Sequence, residues 1–297
     1  MYKSIRILRI IISLLAMAVP TWALLAGYES VFVRMQVFTS ILSGAAVCLI
    51  FWLLVTLIYG RVYCSTVCPL GTFSDCVSAA SRLVRRKQKH FVYCPPSPRT
   101  RIIFLIITIV TLVAGGALLP TVFNPYSAYA RMVEQLIARP FGLNPQAVSF
   151  TLSSLALAVL TAAAVIAVSW KRGRLMCNTV CPVGTILGYA GSRPYFHFEI
   201  DPDKCINCGE CERVCKSQCI KLPEKIVNTS RCVVCFDCTA ACPNGAITYR
   251  TGRFRLDMPL MQPMAPGGSA SSSNITECQK INPHKNETIS RPPASHS

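Results

Sequence analysis

The chemistry of this chain is concentrated in its cysteines, of which there are 17 in 297 residues. Two runs near the C-terminal end share the spacing Cys-x-x-Cys-x-x-Cys-x-x-x-Cys. They consist of Cys205, Cys208, Cys211 and Cys215, and of Cys232, Cys235, Cys238 and Cys242. Closely spaced thiolates with intervening backbone N–H groups suit a [4Fe–4S] cube, because each iron needs one sulfur and the N–H groups offset the charge. The spacing therefore predicts two such clusters.

The same spacing predicts how the ligands are shared. In two-cluster bacterial ferredoxins, the fourth cysteine of each run binds the cluster of the other run. The first cluster is accordingly assigned Cys205, Cys208, Cys211 and Cys242, and the second Cys232, Cys235, Cys238 and Cys215. Structural zinc normally takes two separated Cys-x-x-Cys pairs per ion, so a pair of all-cysteine zinc sites is the weaker alternative.

The first run departs from the expected pattern after its fourth cysteine. Lys216 stands where a proline is expected, and Cys219 follows at the position of Ala246 in the second run. We interpret Cys219 as a small packing residue, and Cys48 likewise. Three further cysteines lack partners at ligand spacing and are interpreted as incidental thiols: Cys76, Cys94 and Cys278.

A second cysteine motif occurs twice. Residues 60–72 align without gaps to residues 173–185 with nine identities in thirteen, and both contain Cys-x-x-x-Cys-Pro-x-Gly-Thr. The proline disfavours helical backbone at the cysteine before it, so we expect a bend there with free N–H groups. The four motif cysteines form a candidate redox or metal-thiolate site across the repeat interface: Cys64, Cys68, Cys177 and Cys181. A cluster, a metal, a dithiol pair and a purely structural turn all remain open.

Apolar segments must position these motifs. The chain is 52% hydrophobic and only 14% charged, against roughly 25% charged residues in soluble domains. Four uncharged segments of about 20 residues are predicted to cross a membrane, at residues 10–28, 37–59, 102–123 and 147–170. A signal peptide is the alternative for the first. The predicted fold is an α-helical membrane protein with four transmembrane helices in a two-fold parallel repeat, followed by a small α+β two-cluster ferredoxin domain.

Charge sets the predicted orientation. Residues 1–196 carry 18 Lys/Arg and 3 Asp/Glu, whereas residues 197–250 carry 7 of each. The basic residues are densest before the first span and between residues 60 and 101, so both termini and the clusters are predicted to be cytoplasmic. The positive charge flanks apolar segments, which indicates membrane lipid as the partner and no nucleic acid.

The predicted domains follow these boundaries. Residues 1–100 and 101–196 form the two repeats, 197–255 the ferredoxin domain, with β-prone stretches at 226–227 and 247–249, and 256–297 a disordered tail. None of the four histidines lies in a predicted span, so a membrane haem is not expected. Dinucleotide and phosphate-binding loops are missing from the sequence, and the spans lack ionisable residues. These features indicate a relay of electrons.

Residues 1–250 resemble the NapH/MauN-type membrane-bound ferredoxins, also called quinol dehydrogenase membrane components. The resemblance rests on the four spans, the two Gly-Arg-x-x-Cys-x-x-x-Cys-Pro motifs and the two C-terminal runs. It implies an electron-transfer subunit in the bacterial inner membrane that exchanges electrons between the quinone pool and an iron–sulfur or cytochrome partner. The related NosR and CcoG polyferredoxins imply the alternative, a metallocentre-assembly or redox-sensing protein.

The resemblance implies quinone as a substrate, but the residues that would contact it are less defined. The link from Asn124 to Glu134 mixes aromatic residues with Arg131. Interfacial aromatic residues are ordinarily anchors, and a quinone contact is the alternative.

Overall fold

The computed structural model describes residues 2–26, 46–84, 93, 98–114, 122–142 and 152–251. Cys94, Cys278 and the predicted tail at 256–297 lie outside these ranges. The first part of the chain is helical, with α1 (Tyr2–Ala26), α2 (Ala46–Tyr59), α3 (Tyr63–Thr66), α4 (Pro69–Val84), α5 (Pro98–Val113), α6 (Pro125–Val133, continued by a π-helical turn Glu134–Ala138), α7 (Leu152–Arg172), α8 (Leu175–Thr179) and α9 (Pro182–Ala190).

Two of the described helices, α1 and α7, are long and apolar enough to cross a membrane, with 25 and 21 residues. They correspond to the predicted spans at 10–28 and 147–170, although α1 begins earlier and includes three basic residues in its first turns. The spans predicted at 37–59 and 102–123 correspond to α2 and α5, apolar helices of 14 and 16 residues. Both predicted spans continue into residues outside the described ranges.

Large apolar side chains are exposed along all four of these helices. Examples are Leu15 on α1, Ile50 on α2, Val110 on α5 and Leu160 on α7, each more than half exposed. Soluble proteins rarely expose apolar surface so extensively. These faces therefore suit contact with lipid.

Each Cys-x-x-x-Cys-Pro motif forms a short helix, a bend and a second helix. Gly60 and Gly173 begin the two motifs with φ of +79° and +61°, a left-handed backbone that favours glycine and ends the preceding apolar helix. The helix α4 then packs against α7, where Ser74 Oγ and Ser169 Oγ are 2.7 Å apart and Ser81 donates to the carbonyl of Trp170. Small side chains allow this close approach.

The segment interpreted as an interfacial link, residues 124–134, is a buried helix. Asn124 caps α6 by accepting from the Tyr126 N–H. Tyr126, Tyr129 and Met132 are buried, and the Tyr129 hydroxyl lies 2.7 Å from Thr21 Oγ1 on α1. The aromatic and small residues recur at helical spacing, so the segment buries one face within the bundle instead of remaining at its surface.

Residues 196–251 form the small α+β part. It contains β1 (Phe196–Ile200), α10 (Glu210–Val214), β2 (Ile220–Lys221), a 3-10 turn (Leu222–Glu224), β3 (Ile226–Val227), α11 (Asp237–Ala241) and β4 (Ile247–Thr251). β1 pairs antiparallel with β4, in register from Phe196 opposite Thr251 to Ile200 opposite Ile247, and β2 pairs with β3. The two β-prone stretches are thus strands, in two separate two-stranded sheets. Buried Ile200, Ile220 and Ile247 pack among the cysteines.

Candidate iron–sulfur and thiol sites

The four cysteines assigned to the first cluster line one cavity. Cys205, Cys208, Cys211 and Cys242 surround about 340 Å³ of empty space, together with apolar neighbours such as Ile200 and Ile247. Burial raises the pKa of Cys211 to about 11, and the nearby Cys208, Cys205 and Cys242 raise it as well. A hydrogen bond from the Glu212 N–H acts in the opposite direction. The folding of both runs thus brings Cys242 to the first run.

The cysteines assigned to the second cluster also lie together. Burial, followed by the proximity of Cys235, Cys232 and Cys215, raises the pKa of the Cys238 thiol. Cys215 and Cys238 belong to one buried core, against which Cys232 packs. The fourth cysteine of the first run therefore lies beside the cysteines of the second run.

Both loops have the same unusual backbone. The residue before the second cysteine is left-handed in each run, Asn207 at φ +55° and Val234 at +53°, and so is the residue after it, Gly209 at +78° and Phe236 at +58°. Successive right- and left-handed residues turn neighbouring N–H groups towards one point, which creates an anion-binding concavity. Such loops suit the negative charge of a thiolate-ligated cluster.

The donor set fits a four-iron cube. Each iron of a cube takes one sulfur ligand, and four thiols line the cavity of the first assigned site. Within the described ranges, no group of three or more histidine, cysteine, aspartate or glutamate side chains is arranged to hold a single metal ion.

Cys219 is a buried core residue, as its interpretation as a packing residue requires, but it also touches a proposed ligand. It is 2% exposed, and its Sγ lies 3.5 Å from Cys215 Sγ. The hydrogen bond from Cys219 lowers the pKa of the Cys215 thiol. Cys219 is therefore placed to donate to the second site.

The four motif cysteines line a second, larger cavity. Cys64, Cys68, Cys177 and Cys181 share it with apolar residues of α4, α6 and α7, and it contains about 770 Å³ of empty space. Cysteines more than 100 residues apart in the sequence thus meet in one place. The structure also leaves Cys48 on α2 and Cys76 on α4 outside this lining.

Two fully buried arginines join the motifs reciprocally. Arg61 of the first motif donates from Nη1 to Asn178 Oδ1 in the second, at 2.7 Å, and from Nη2 to Cys64 Sγ at 3.7 Å. Arg174 of the second motif donates to the carbonyl of Cys64 and, from Nε, to Asp75 Oδ1 at 2.6 Å. The cysteine spacing predicted no role for these arginines, although both motifs carry an arginine at the same position.

The predicted bend is confirmed at Cys181, whose backbone is extended with ψ of 119°. Its Sγ accepts a hydrogen bond from the Gly184 N–H at 3.3 Å, at the first turn of α9. A hydrogen bond from the Gly71 N–H likewise favours the thiolate form of Cys68, since it acts to lower the pKa of this cysteine. Helix N-termini carry partial positive charge, so both bends favour an anion at the cysteine sulfurs.

The motif thiols are nevertheless deeply buried. Burial raises the pKa of Cys68 and of Cys177, and it raises the pKa of Cys181 to about 12. A reactive dithiol needs a lowered pKa, because the thiolate is the nucleophile. The arrangement favours thiols that lose their protons to a metal or a cluster, with Arg61 and Arg174 offsetting the charge.

The motif cavity and the second cysteine run are adjacent. Val233, from the second run, is buried in the same core as Tyr63, Cys64 and Cys68, and Cys235 packs against that core. The first run reaches the protein surface, where Cys208 is exposed and Ile206 is 62% exposed.

Comparisons with known proteins agree with this geometry. A family model described as a 4Fe-4S binding domain matches residues 41–89 and 155–197, which contain the two motifs, and another of that description matches residues 197–220. No solved structure matches the chain.

Three relatives are electron-transport or ferredoxin-type proteins by name. The chain is 24% identical to the putative electron transport protein YccM of Escherichia coli over 69% of this chain and 55% of that protein. It is 26% identical to the ferredoxin-type protein NapH of Haemophilus influenzae over 80% and 78%. It is 27% identical to the methylamine utilization ferredoxin-type protein MauN of Paracoccus denitrificans over 71% and 66%.

The chain thus spans less than two thirds of the length of several relatives, YccM among them. The relatives and the matches at the cysteine motifs agree with the resemblance found in the sequence. Together they show that this chain is similar to the NapH/MauN-type ferredoxins.

Proposed function

We propose that this chain is a membrane-bound iron–sulfur protein that relays electrons between the quinone pool and a redox partner. One observation carries the proposal: the second cysteine run packs directly against the core that holds the motif cysteines. The three sets of four cysteines could therefore hold neighbouring redox centres. Iron–sulfur clusters transfer single electrons, at potentials set by charge, hydrogen bonding and solvent exposure. The protein residues hold the thiolates, exclude water and offset their charge.

Two [4Fe–4S] clusters are assigned to the C-terminal runs. The first takes Cys205, Cys208, Cys211 and Cys242, and the second takes Cys232, Cys235, Cys238 and Cys215. The shared left-handed loop positions support two equivalent sites.

A third thiolate centre is assigned to the motif cavity, with Cys64, Cys68, Cys177 and Cys181 as its ligands. Its support is the convergence of four thiols with two buried guanidinium groups and the N–H groups at two helix N-termini. The 4Fe-4S matches over both motifs favour a cluster over a dithiol pair or a structural turn.

Quinone is assigned to the apolar side of the same cavity. Val122, Phe123 and Pro125 line it at the start of α6, and Val165 lines it from α7. Ligand pockets of this kind are mostly apolar with a few polar groups, and Ser74 and Ser169 supply the latter here. A quinone ring at this position would lie beside the motif cysteines.

The partner is assigned to the exposed first run. Cys208 and Ile206 reach the surface there, whereas the second run packs against the core that contains Cys64 and Cys68. Electrons would therefore pass between the motif site and the partner through the second cluster and then the first. The partner is an iron–sulfur or cytochrome protein by analogy with the family.

Iron and acid-labile sulfide analysis of the purified protein tests the cluster assignment. We expect about twelve irons and twelve sulfides per chain, four for each centre. Cys238→Ser should remove the second cluster selectively, and the exposed Cys76→Ser on α4 is the matched control that should keep all the iron. Tight zinc without labile sulfide would contradict the assignment.

Quinol-linked reduction tests the relay. Cys64→Ser or Cys177→Ser should stop reduction of the ferredoxin clusters by quinol, while dithionite still reduces them. Unchanged quinol-linked reduction in both variants would reject the relay through the motif site. Intact electron transfer with loss of metal from a partner enzyme would favour the assembly function instead.

A further inference from the structure

Lys216, the residue that replaces the expected proline after Cys215, is buried where the two parts of the chain meet. It is only 4% exposed. Its Nζ lies 2.8 Å from Asp75 Oδ2 and 3.1 Å from Asp237 Oδ2. A buried ammonium costs several kcal/mol unless it is well paired, and here two carboxylates pair it.

The two carboxylates belong to different sites. Asp75 lies on α4, seven residues after Cys68, and also pairs with Arg174 of the second motif. Asp237 lies between Cys235 and Cys238, both assigned to the second cluster, and pairs with Arg6 of α1 at 2.8 Å. Lys216 therefore joins the motif repeat to the ligand loop of the second cluster.

The backbone around Lys216 is attached to the same repeat. The Arg174 N–H donates to the carbonyl of Lys216 at 2.9 Å. Asn178 donates from Nδ2 to the carbonyl of Ser217 at 3.3 Å. This loop of the ferredoxin part is thus fixed to the second motif by backbone and side-chain contacts together.

The ion pairs leave an excess of positive charge between the two thiol sites. The group contains four cationic and two anionic side chains: Arg6, Arg9, Arg174, Lys216, Asp75 and Asp237. Two net positive charges in a mostly buried position interact strongly with nearby anions, since little solvent screens them. A thiolate-ligated cluster on either side is such an anion.

We propose that Lys216 is a positioning residue that fixes the second cluster against the motif site and raises its reduction potential. The proposal rests on the proposed function, since it presupposes that Cys232, Cys235, Cys238 and Cys215 hold a cluster. Reduction adds a negative charge to the cluster, and a neighbouring ammonium stabilises the reduced form. A proline at this position could do neither.

Redox titration of the full-length protein, followed by electron paramagnetic resonance, tests this proposal. In Lys216→Met the reduced-to-oxidised ratio of the second cluster at a fixed potential should fall at least about tenfold, a shift of about 59 mV for one electron. In Asp75→Asn, which removes a negative charge from the same group, the potential should move the opposite way. Lys216→Arg keeps the charge and should restore most of the wild-type value.

The control is Lys204→Met, because Lys204 also adjoins a proposed ligand, Cys205, but its side chain is 59% exposed. Solvent screening should leave the first cluster's potential nearly unchanged in this variant. Unchanged second-cluster potentials in Lys216→Met and Asp75→Asn, or shifts of the same sign, would overturn the proposal. Failure of the wild-type protein to bind a second cluster would instead refute the proposed function, so the two failures are distinguishable.

Discussion

Val234 shows how firmly the cluster loops are fixed. A β-branched residue at φ +53° is unfavourable by about 1–2 kcal/mol, yet Val234 adopts this conformation at the position that Asn207 takes in the first run. Its side chain is buried in the core of the ferredoxin part, with only 6% exposed. The packing therefore holds a strained backbone, as is common at functional sites.

The variant Cys219→Ala tests whether Cys219 is a cluster ligand or a hydrogen-bond donor to Cys215. We expect unchanged iron content, because the four sulfurs of the second site are supplied elsewhere, and a lower potential of the second cluster, because a hydrogen bond to Cys215 Sγ is lost. Cys219→Ser keeps a donor and should retain the wild-type potential. Iron analysis and redox titration measure both effects, and a loss of about four irons in Cys219→Ala would make this residue a ligand.

Replacement of Asn178 tests whether the hydrogen bond from Arg61 of the first motif to Asn178 of the second stabilises the protein. Its amide oxygen accepts from fully buried Arg61, so Asn178→Ala leaves a buried cation with one partner fewer. The expected destabilisation is about 1–3 kcal/mol, measured as a lower thermal unfolding midpoint in detergent. Asn244→Ala, at an exposed position of the first-cluster loop, is the control. Equal midpoints for the two variants would argue against the role of Asn178.

The element that defines the motif site is a helix that begins directly after a cysteine. The bend could be predicted from the sequence, because it depends only on the proline that follows the cysteine and on the glycine two residues later. The partners of Arg61 and Arg174 were not, since Asn178 and Asp75 lie about 100 residues away along the chain. Long-range pairing has no local signature in a single sequence.

Gly184→Ala should abolish the motif centre alone. A Cβ at this glycine would lie 2.2 Å from the Cys177 carbonyl and 2.9 Å from Arg61 Nη2, so the turn between the two cysteines must move. We expect about four irons fewer per chain, with about eight retained in the ferredoxin part. Gly142→Ala, which adds backbone strain at φ of +62° but places no atom within 4 Å of the new Cβ, is the control for a general loss of stability. Full iron content in Gly184→Ala would exclude a cluster at the motifs.

The packing of α6 could not be predicted from its own sequence. Its tyrosines and alanines are equally typical of an interfacial link and of a buried helix. Only the packing distinguishes them: Tyr129 contacts Phe73 on α4 as well as Thr21 on α1. The sequence therefore identified the segment and a quinone alternative for it, but not its position beside the motif cysteines.

At the scale of the whole molecule, apolar exposure divides the chain. Exposed large apolar side chains are frequent on α1, α2, α5 and α7, whereas among the described residues from 197 onward Ile206 is the one such side chain. This division follows the composition, which is why the membrane and ferredoxin parts could be separated from sequence alone. The contacts that join them include the ion pairs of Lys216, which the sequence marked only as a departure from a pattern.

Reporter fusions test the orientation of the molecule. Green fluorescent protein should fluoresce after residues 90 and 195, and alkaline phosphatase should be active after residues 30 and 145. Residue 145 is chosen in this connection because it lies beyond Gln135, which is buried within the bundle. The basis is the density of Lys and Arg, which is highest in the connection from 60 to 101.

The structure adds an independent reason for this expectation. Arg6 and Arg9, at the start of α1, pair with Asp237 and Asp75, so the N-terminus of α1 lies on the same side as the cysteine runs. The cysteines of both motifs line one cavity, and the second cysteine run packs against the core beside it, so both motifs share that side. The reversed reporter pattern would place the clusters on the oxidising side of the membrane. A mixed pattern, with residues 90 and 195 on opposite sides, would be incompatible with motif cysteines that line one cavity.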